Sequence, residues 1–119
     1  MKKTMVIGAS ENPARYSNMA IKNLRRHGIE VVAIGNKEGN VDDVFITKEK
    51  EPAQDIHTVT LYVNPANQEP FIDYIQSLQP KRVIFNPGTE NNDLENLLRK
   101  QGIEALEACT LVMLNTGQY

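Results

Sequence analysis

Short apolar runs, each closed by glycine or by Asn-Pro, recur along this chain and leave it few folds to choose from. Thr4-Met5-Val6-Ile7 stops at Gly8, Val31-Val32-Ala33-Ile34 at Gly35, and Val83-Ile84-Phe85 at Asn86-Pro87-Gly88, while the β-forming stretch from Thr58 to Val63 runs into Asn64-Pro65. A half-exposed strand alternates apolar with polar residues, so brief runs that are apolar throughout read as strands buried on both faces. Proline cannot donate to a ladder, so the Thr58 strand is expected to end at Asn64-Pro65.

The segments between these runs follow the helical period instead. Ala20, Ile21 and Leu24 predict a helix from about Ser17 to His27, with Gly28 as its stop after Arg25-Arg26-His27. Phe71, Ile72, Ile75 and Leu78 form a second stripe that ends before Pro80. Leu94, Leu97 and Leu98 form a third, opened by Asn92 and Glu95 in the manner of a capping box and closed by Gly102. Ile103 to Leu106 gives the last predicted strand, and the tail from Glu107 to Tyr119 has no decisive pattern. From Glu38 to Asp55 the chain is polar and acidic, with Val44-Phe45-Ile46 its one strand candidate.

Buried strands alternating with amphipathic helices predict an α/β protein: a three-layer, Rossmann-like fold with a mostly parallel central sheet and right-handed crossovers. A length of 119 residues suits one domain, residues 1–119, and no repeat, linker or low-complexity segment divides it.

Thirteen Lys and Arg against fifteen Asp and Glu leave a formal charge of -2, so the chain lacks the basic field that draws proteins to nucleic acid. Met1-Lys2-Lys3 resembles the start of a leader, but Gly8, Ser10 and Glu11 cut its apolar run short. One cysteine, Cys109, fits a reducing compartment, and no apolar stretch approaches the about 20 residues that span a bilayer. The expectation is a cytoplasmic protein with a small-molecule ligand, no membrane contact and no nucleic acid, for which a homodimer is compatible with the size.

In open α/β sheets the ligand sits beyond the carboxyl ends of the strands, which is where the loops at Gly8-Ala9-Ser10, Gly35-Asn36-Lys37, Asn64-Pro65 and Asn86-Pro87-Gly88 fall. Gly8 permits close backbone approach, the helix beyond it offers unpaired N–H groups, and Ser10 and Arg15 add donors for a phosphate. A plain βα turn with an exposed arginine is the competing reading. The loop lacks the second and third glycines of the dinucleotide fingerprint, and the second strand ends in Asn36-Lys37 rather than an acid, which disfavours NAD although Glu38 lies close. Lys37 suits an additional phosphate, such as the 3′-phosphate on the ribose of coenzyme A, or else is a solvated loop lysine.

The run Val6-Ile7-Gly8-Ala9-Ser10, then Pro13, Arg15, Ser17-Asn18, Leu24, Gly28 and Val31, resembles the CoA-binding domain family related to the N-terminal domain of the succinyl-CoA synthetase α subunit. The likeness continues through Val63-Asn64-Pro65 and from Val83 to Gly88. It implies a Rossmann-like domain that holds coenzyme A across the strand ends. Carried over by position, Gly8, Ala9 and Ser10 line the phosphate loop with Arg15 nearby, and Lys37 meets phosphate near the adenosine ribose. Asn64 and Pro65 lie beside adenine or pantetheine, and Asn86, Pro87 and Gly88 close the far side. The chain departs from the family at Ile34-Gly35-Asn36-Lys37, where Val-Asn-Pro is usual, at Phe85-Asn86, where Trp-Gln is usual, and at Glu107-Ala108-Cys109.

No residue pattern points to catalysis. His27 ends a helix and His57 precedes a strand, Cys109 has no histidine near it in sequence, and neither Asp42-Asp43 nor Glu49-Lys50-Glu51 has metal-ligand spacing. The reading is a non-catalytic coenzyme A or acyl-CoA binding protein without a metal. The alternatives are an NAD(P)-linked Rossmann enzyme, a ligase component that needs a partner subunit, and an interaction domain that has lost its ligand.

Overall fold

A computed structural model of the chain describes residues 2–119. Its centre is a seven-stranded sheet: β1 (Thr4–Ala9), β2 (Val31–Gly35), β3 (Gly39–Val41), β4 (Val44–Thr47), β5 (Thr58–Leu61), β6 (Arg82–Phe85) and β7 (Glu104–Glu107), in the order β3-β4-β2-β1-β5-β6-β7. Every neighbouring pair is parallel except β3 with β4. Helices α1 (Tyr16–Arg26), α2 (Ile72–Leu78), α3 (Asn92–Lys100) and α4 (Thr110–Asn115) complete the layers.

The period of two in the strands explains why their sequences look uniformly apolar. Met5, Ile7, Val59, Leu61, Val83 and Phe85 face one core with Ile75 of α2 and Leu94 and Leu98 of α3. Residues on the opposite face of the strands, Val6, Ala33 and Ile84, face a second core with Ile21 and Leu24 of α1 and Leu114 of α4. Both faces are therefore covered, as a parallel sheet requires. Fully burying a side chain such as Phe85 or Ile7 contributes about 1.5–3 kcal/mol, so this two-sided core is the main stabilising term.

Several elements differ from the sequence-based expectation. The acidic stretch after β2 forms an antiparallel hairpin, β3 and β4, at the sheet edge. Gly39-Asn40-Val41 gives no strand signal in sequence because a three-residue edge strand that buries only Val41 has no apolar run to show. Asp42 takes the left-handed conformation at its turn, with φ 52°, and Asp43 accepts from Arg25 Nε and Nη2 of α1 at 2.9 and 2.7 Å. That two-pronged hydrogen bond holds the Asp43 carboxyl below its usual range. The stripe from Phe71 to Leu78 is a short helix, α2, preceded by two 3-10 turns, Pro65–Asn67 and Glu69–Phe71. The tail is ordered into α4.

The capping box of α3 belongs to Asn91 rather than Asn92. Asn91 Oδ1 accepts from the Leu94 N–H at 3.1 Å, and Glu95 Oε2 accepts from the Asn91 N–H at 3.0 Å. The acid sits one residue deeper than in the standard box, which is why the spacing pointed to the wrong asparagine. Among the described residues no helix is long and apolar enough to cross a membrane.

Candidate functional site

The chain leaves β1 through α1 to β2 on one side, while β5 on the other side of β1 continues to β6 and β7. The strand order thus reverses between β1 and β5, and the crossovers there diverge to opposite faces, which opens a crevice at the carboxyl edge of the sheet. Gly8 stands in that crevice. Its φ is 95°, and a Cβ there would lie 3.0 Å from the carbonyl carbon and oxygen of Tyr62 and from Val63 Cγ2. Only glycine lets the β1 exit lie against the β5 exit. The register between β1 and β2 shifts at the same place, between Ile7 and Ala9.

Beyond β1 the loop is wound by its own polar groups. Ser10 Oγ accepts from the Asn12 N–H, Asn12 Oδ1 from the Ala14 N–H and Asn12 O from the Arg15 N–H, each at 3.0 Å. Asn18, 2% exposed, donates from Nδ2 to Ser10 O at 2.9 Å and so ties the loop to α1. Arg15 occupies the N-cap without capping, and the first turn of α1 contains no acid. The positive end of an eleven-residue helix is left uncapped by any side chain. Arg15 and Lys37 are exposed and make no hydrogen bond or ion pair from their side chains among the described residues.

The other half of the edge is closed by hydrogen bonds. Asn86, 2% exposed, donates from Nδ2 to Thr60 Oγ1 at 2.7 Å and to Leu61 O at 2.8 Å, and its Oδ1 accepts from the Thr110 N–H at 2.9 Å. The Thr60 and Thr110 hydroxyls meet at 2.8 Å. Gln68, 1% exposed, donates to Val63 O and Thr89 O at 2.8 and 2.7 Å and accepts from Asn91 Nδ2 at 2.8 Å, joining the loops after β5 and β6. Asn64 caps the 3-10 turn through its Oδ1, which accepts from the Asn67 N–H at 3.2 Å, and Pro65 opens that turn, exposed. Pro87 and Gly88 are exposed, and the Gly88 N–H donates to Glu90 Oε1 at 2.9 Å.

The fold therefore brings Gly8, Ala9, Ser10, Lys37, Asn64, Pro65, Asn86, Pro87 and Gly88 to one edge, with Arg15 at the head of α1. Ala9 is buried, and the Asn86 side chain turns inward. Gln68 carries no sequence signal: an isolated glutamine in a polar loop does not announce that it is the hub of that loop. Tyr62, whose hydroxyl is buried without a hydrogen-bond partner, is likewise legible only in three dimensions. Burial pushes its phenol up to about 12, so it stays neutral at ordinary pH. At the end of β7, a hydrogen bond and charge repulsion from Glu95 raise the Glu107 carboxyl above its usual range.

Both histidines lie at the opposite edge, His27 at the far end of α1 and His57 just before β5. Two cavities of about 260 Å³ also lie away from the crevice, one over β2 beside Tyr74 and one between Lys2, His27 and Tyr119. The described residues hold no group of three or more His, Cys, Asp or Glu able to bind a metal ion.

A family model described as CoA binding domain matches residues 2–115. Among solved structures, one described as an uncharacterized protein is 48% identical, with a TM-score of 0.97 and coverage of 100% of this chain and 98% of that one. A hypothetical protein from Pyrococcus horikoshii OT3 shares the fold at 23% identity, TM-score 0.87, covering 97% and 82%. A conserved hypothetical protein from Pyrococcus furiosus is 25% identical, TM-score 0.81, covering 94% and 98%. No curated protein matches the chain. The chain belongs to the CoA-binding domain family.

Proposed function

We propose that this member of the CoA-binding domain family holds coenzyme A, or an acyl-CoA, on the open carboxyl edge and performs no chemistry on it. One observation supports the reading: the N-terminus of α1, at the end of the Gly8 loop, has no side-chain cap, and Arg15 and Lys37 on the loops of this edge are exposed and unpaired. The pyrophosphate meets the first-turn N–H groups and Ser10, Arg15 adds a fork of donors, and Lys37 meets the 3′-phosphate. The adenine and pantetheine lie along Asn64, Pro65, Pro87 and Gly88. Asn86 serves by fixing the β5 and β6 exits rather than by touching the ligand.

The absence of catalysis rests on placement. Both imidazoles are at the far edge, and the Tyr62 phenol is buried and pushed up to about 12, too weak an acid to exchange a proton readily at neutral pH. The test is thermal unfolding with CoA, dephospho-CoA, ADP and NAD at equal millimolar concentration, since a ligand bound only by the folded chain raises its midpoint. A rise with CoA that shrinks with Lys37→Ala supports the assignment. A rise with NAD alone transfers the edge to a dinucleotide, and no rise with any of the four rejects nucleotide binding.

A further inference from the structure

We infer that Glu11 reads the ribose of the bound nucleotide, supplying from the β1 loop the acid that dinucleotide-binding folds carry at the end of their second strand; this rests on the reading that the edge holds the nucleotide of CoA. In such folds an Asp or Glu about 20 residues beyond the glycine loop accepts from the ribose hydroxyls. Here β2 ends in Gly35-Asn36-Lys37, and the first acid beyond it, Glu38, lies past Lys37 on the turn into β3.

Space supplies what the sequence order does not. The Glu11 side chain leaves the β1 loop and lies across the hairpin that follows β2, where its Oε2 accepts from the Asn40 N–H at 2.8 Å. A Cβ on Gly39 would stand 2.5 Å from Glu11 Cγ and from Oε1, so the Glu11 side chain packs directly against the hairpin backbone. One carboxylate oxygen is thereby fixed by a main-chain donor. The other, Oε1, makes no hydrogen bond among the described residues, and the residue is exposed. Positioned in this way, Glu11 is a preoriented acceptor just past the β2 exit.

Lys37, on the turn between β2 and β3, stands on the same side of the edge with the opposite charge. A carboxylate accepts from free ribose hydroxyls but repels a phosphate attached to one of them, whereas an ammonium favours that phosphate. The two residues pull ligand preference in opposite directions: Glu11 toward an unphosphorylated ribose, Lys37 toward the 3′-phosphate of CoA.

Calorimetric titration of CoA and of dephospho-CoA into the wild type, Glu11→Gln and Lys37→Ala separates these contributions. Glutamine keeps an oxygen acceptor for the Asn40 N–H and removes only the charge, and an unchanged unfolding midpoint verifies that the loop is intact. Glu11→Gln should raise the preference for CoA over dephospho-CoA by about tenfold, the size of one charge-dependent contact. Lys37→Ala should move the same ratio the other way. A ratio within about twofold of wild type in Glu11→Gln overturns the role of Glu11 while leaving CoA binding in place, since a real effect of one contact exceeds that. If neither ligand binds the wild type, the assignment of the edge fails and this inference falls with it.

Discussion

The two halves of the carboxyl edge are built by opposite means. Around Asn86 and Gln68 the side chains are almost fully buried, and the amide groups of both are matched to partners. Around Gly8 and Arg15 the loop is held by its own turns, the helix N-terminus is uncapped by side chains, and the cations face solvent. A buried amide left unpaired costs about 1–3 kcal/mol, so the first half cannot rearrange to meet a ligand. The second half gives up little when empty, because water satisfies its donors. On the proposed reading, shape on this edge belongs to one half and affinity to the other.

The largest effect is expected at Asn86. Asn86→Ala removes two donors and an acceptor from a buried site, and urea unfolding should show a loss of about 3 kcal/mol. A loss below about 1 kcal/mol would mean that the network does not hold the strand exits together. Gln68→Ala should cost about 2 kcal/mol by the same measurement and loosen the loops at Val63 and Thr89, seen as faster amide hydrogen exchange there. Arg15→Ala should show the reverse profile: stability within about 0.5 kcal/mol of wild type, because the side chain is exposed and unpaired, but CoA binding about tenfold weaker and less sensitive to salt.

The smallest effect concerns pH and lies at Glu107. Its carboxyl is raised above the usual range by Glu95, so the folded state binds the Glu107 proton more tightly than the unfolded chain does. That contribution favours folding while the group is protonated and is lost as pH rises through the raised value. Glu107→Gln, which keeps a neutral group at every pH, should therefore raise the unfolding midpoint at neutral pH and not below about pH 4, near the unfolded pKa of a glutamate. Equal midpoint changes at both pH values would show that the repulsion does not act on folding.

Periodicity exposed the parts of this fold that are made by repetition. The buried strands and amphipathic helices repeat an apolar choice many times, so β1, β2, β5, β6 and α1 were legible, and with them the parallel α/β sheet. Elements that depend on single residues were not. The edge strand β3 buries one side chain, Val41, and α4 is six residues long in a tail without a clear stripe. The candidate site divides in the same way. Glycine and proline marked where each loop falls, because they report backbone geometry directly. Whether a polar residue faces inward, as Asn86 and Gln68 do, or crosses to another loop, as Glu11 does, depends on partners remote in sequence, and no local pattern encodes that.

The most direct test of the division is a titration of isotope-labelled protein with CoA, followed through its backbone amide resonances. Binding on the open half predicts the largest shifts from Gly8 to Asn18 and at Lys37, smaller ones at Asn64 and Gly88, and none around Lys2, His27 and Tyr119. Shifts confined to that last group, or none at millimolar CoA, would contradict the assignment of the nucleotide to the carboxyl edge.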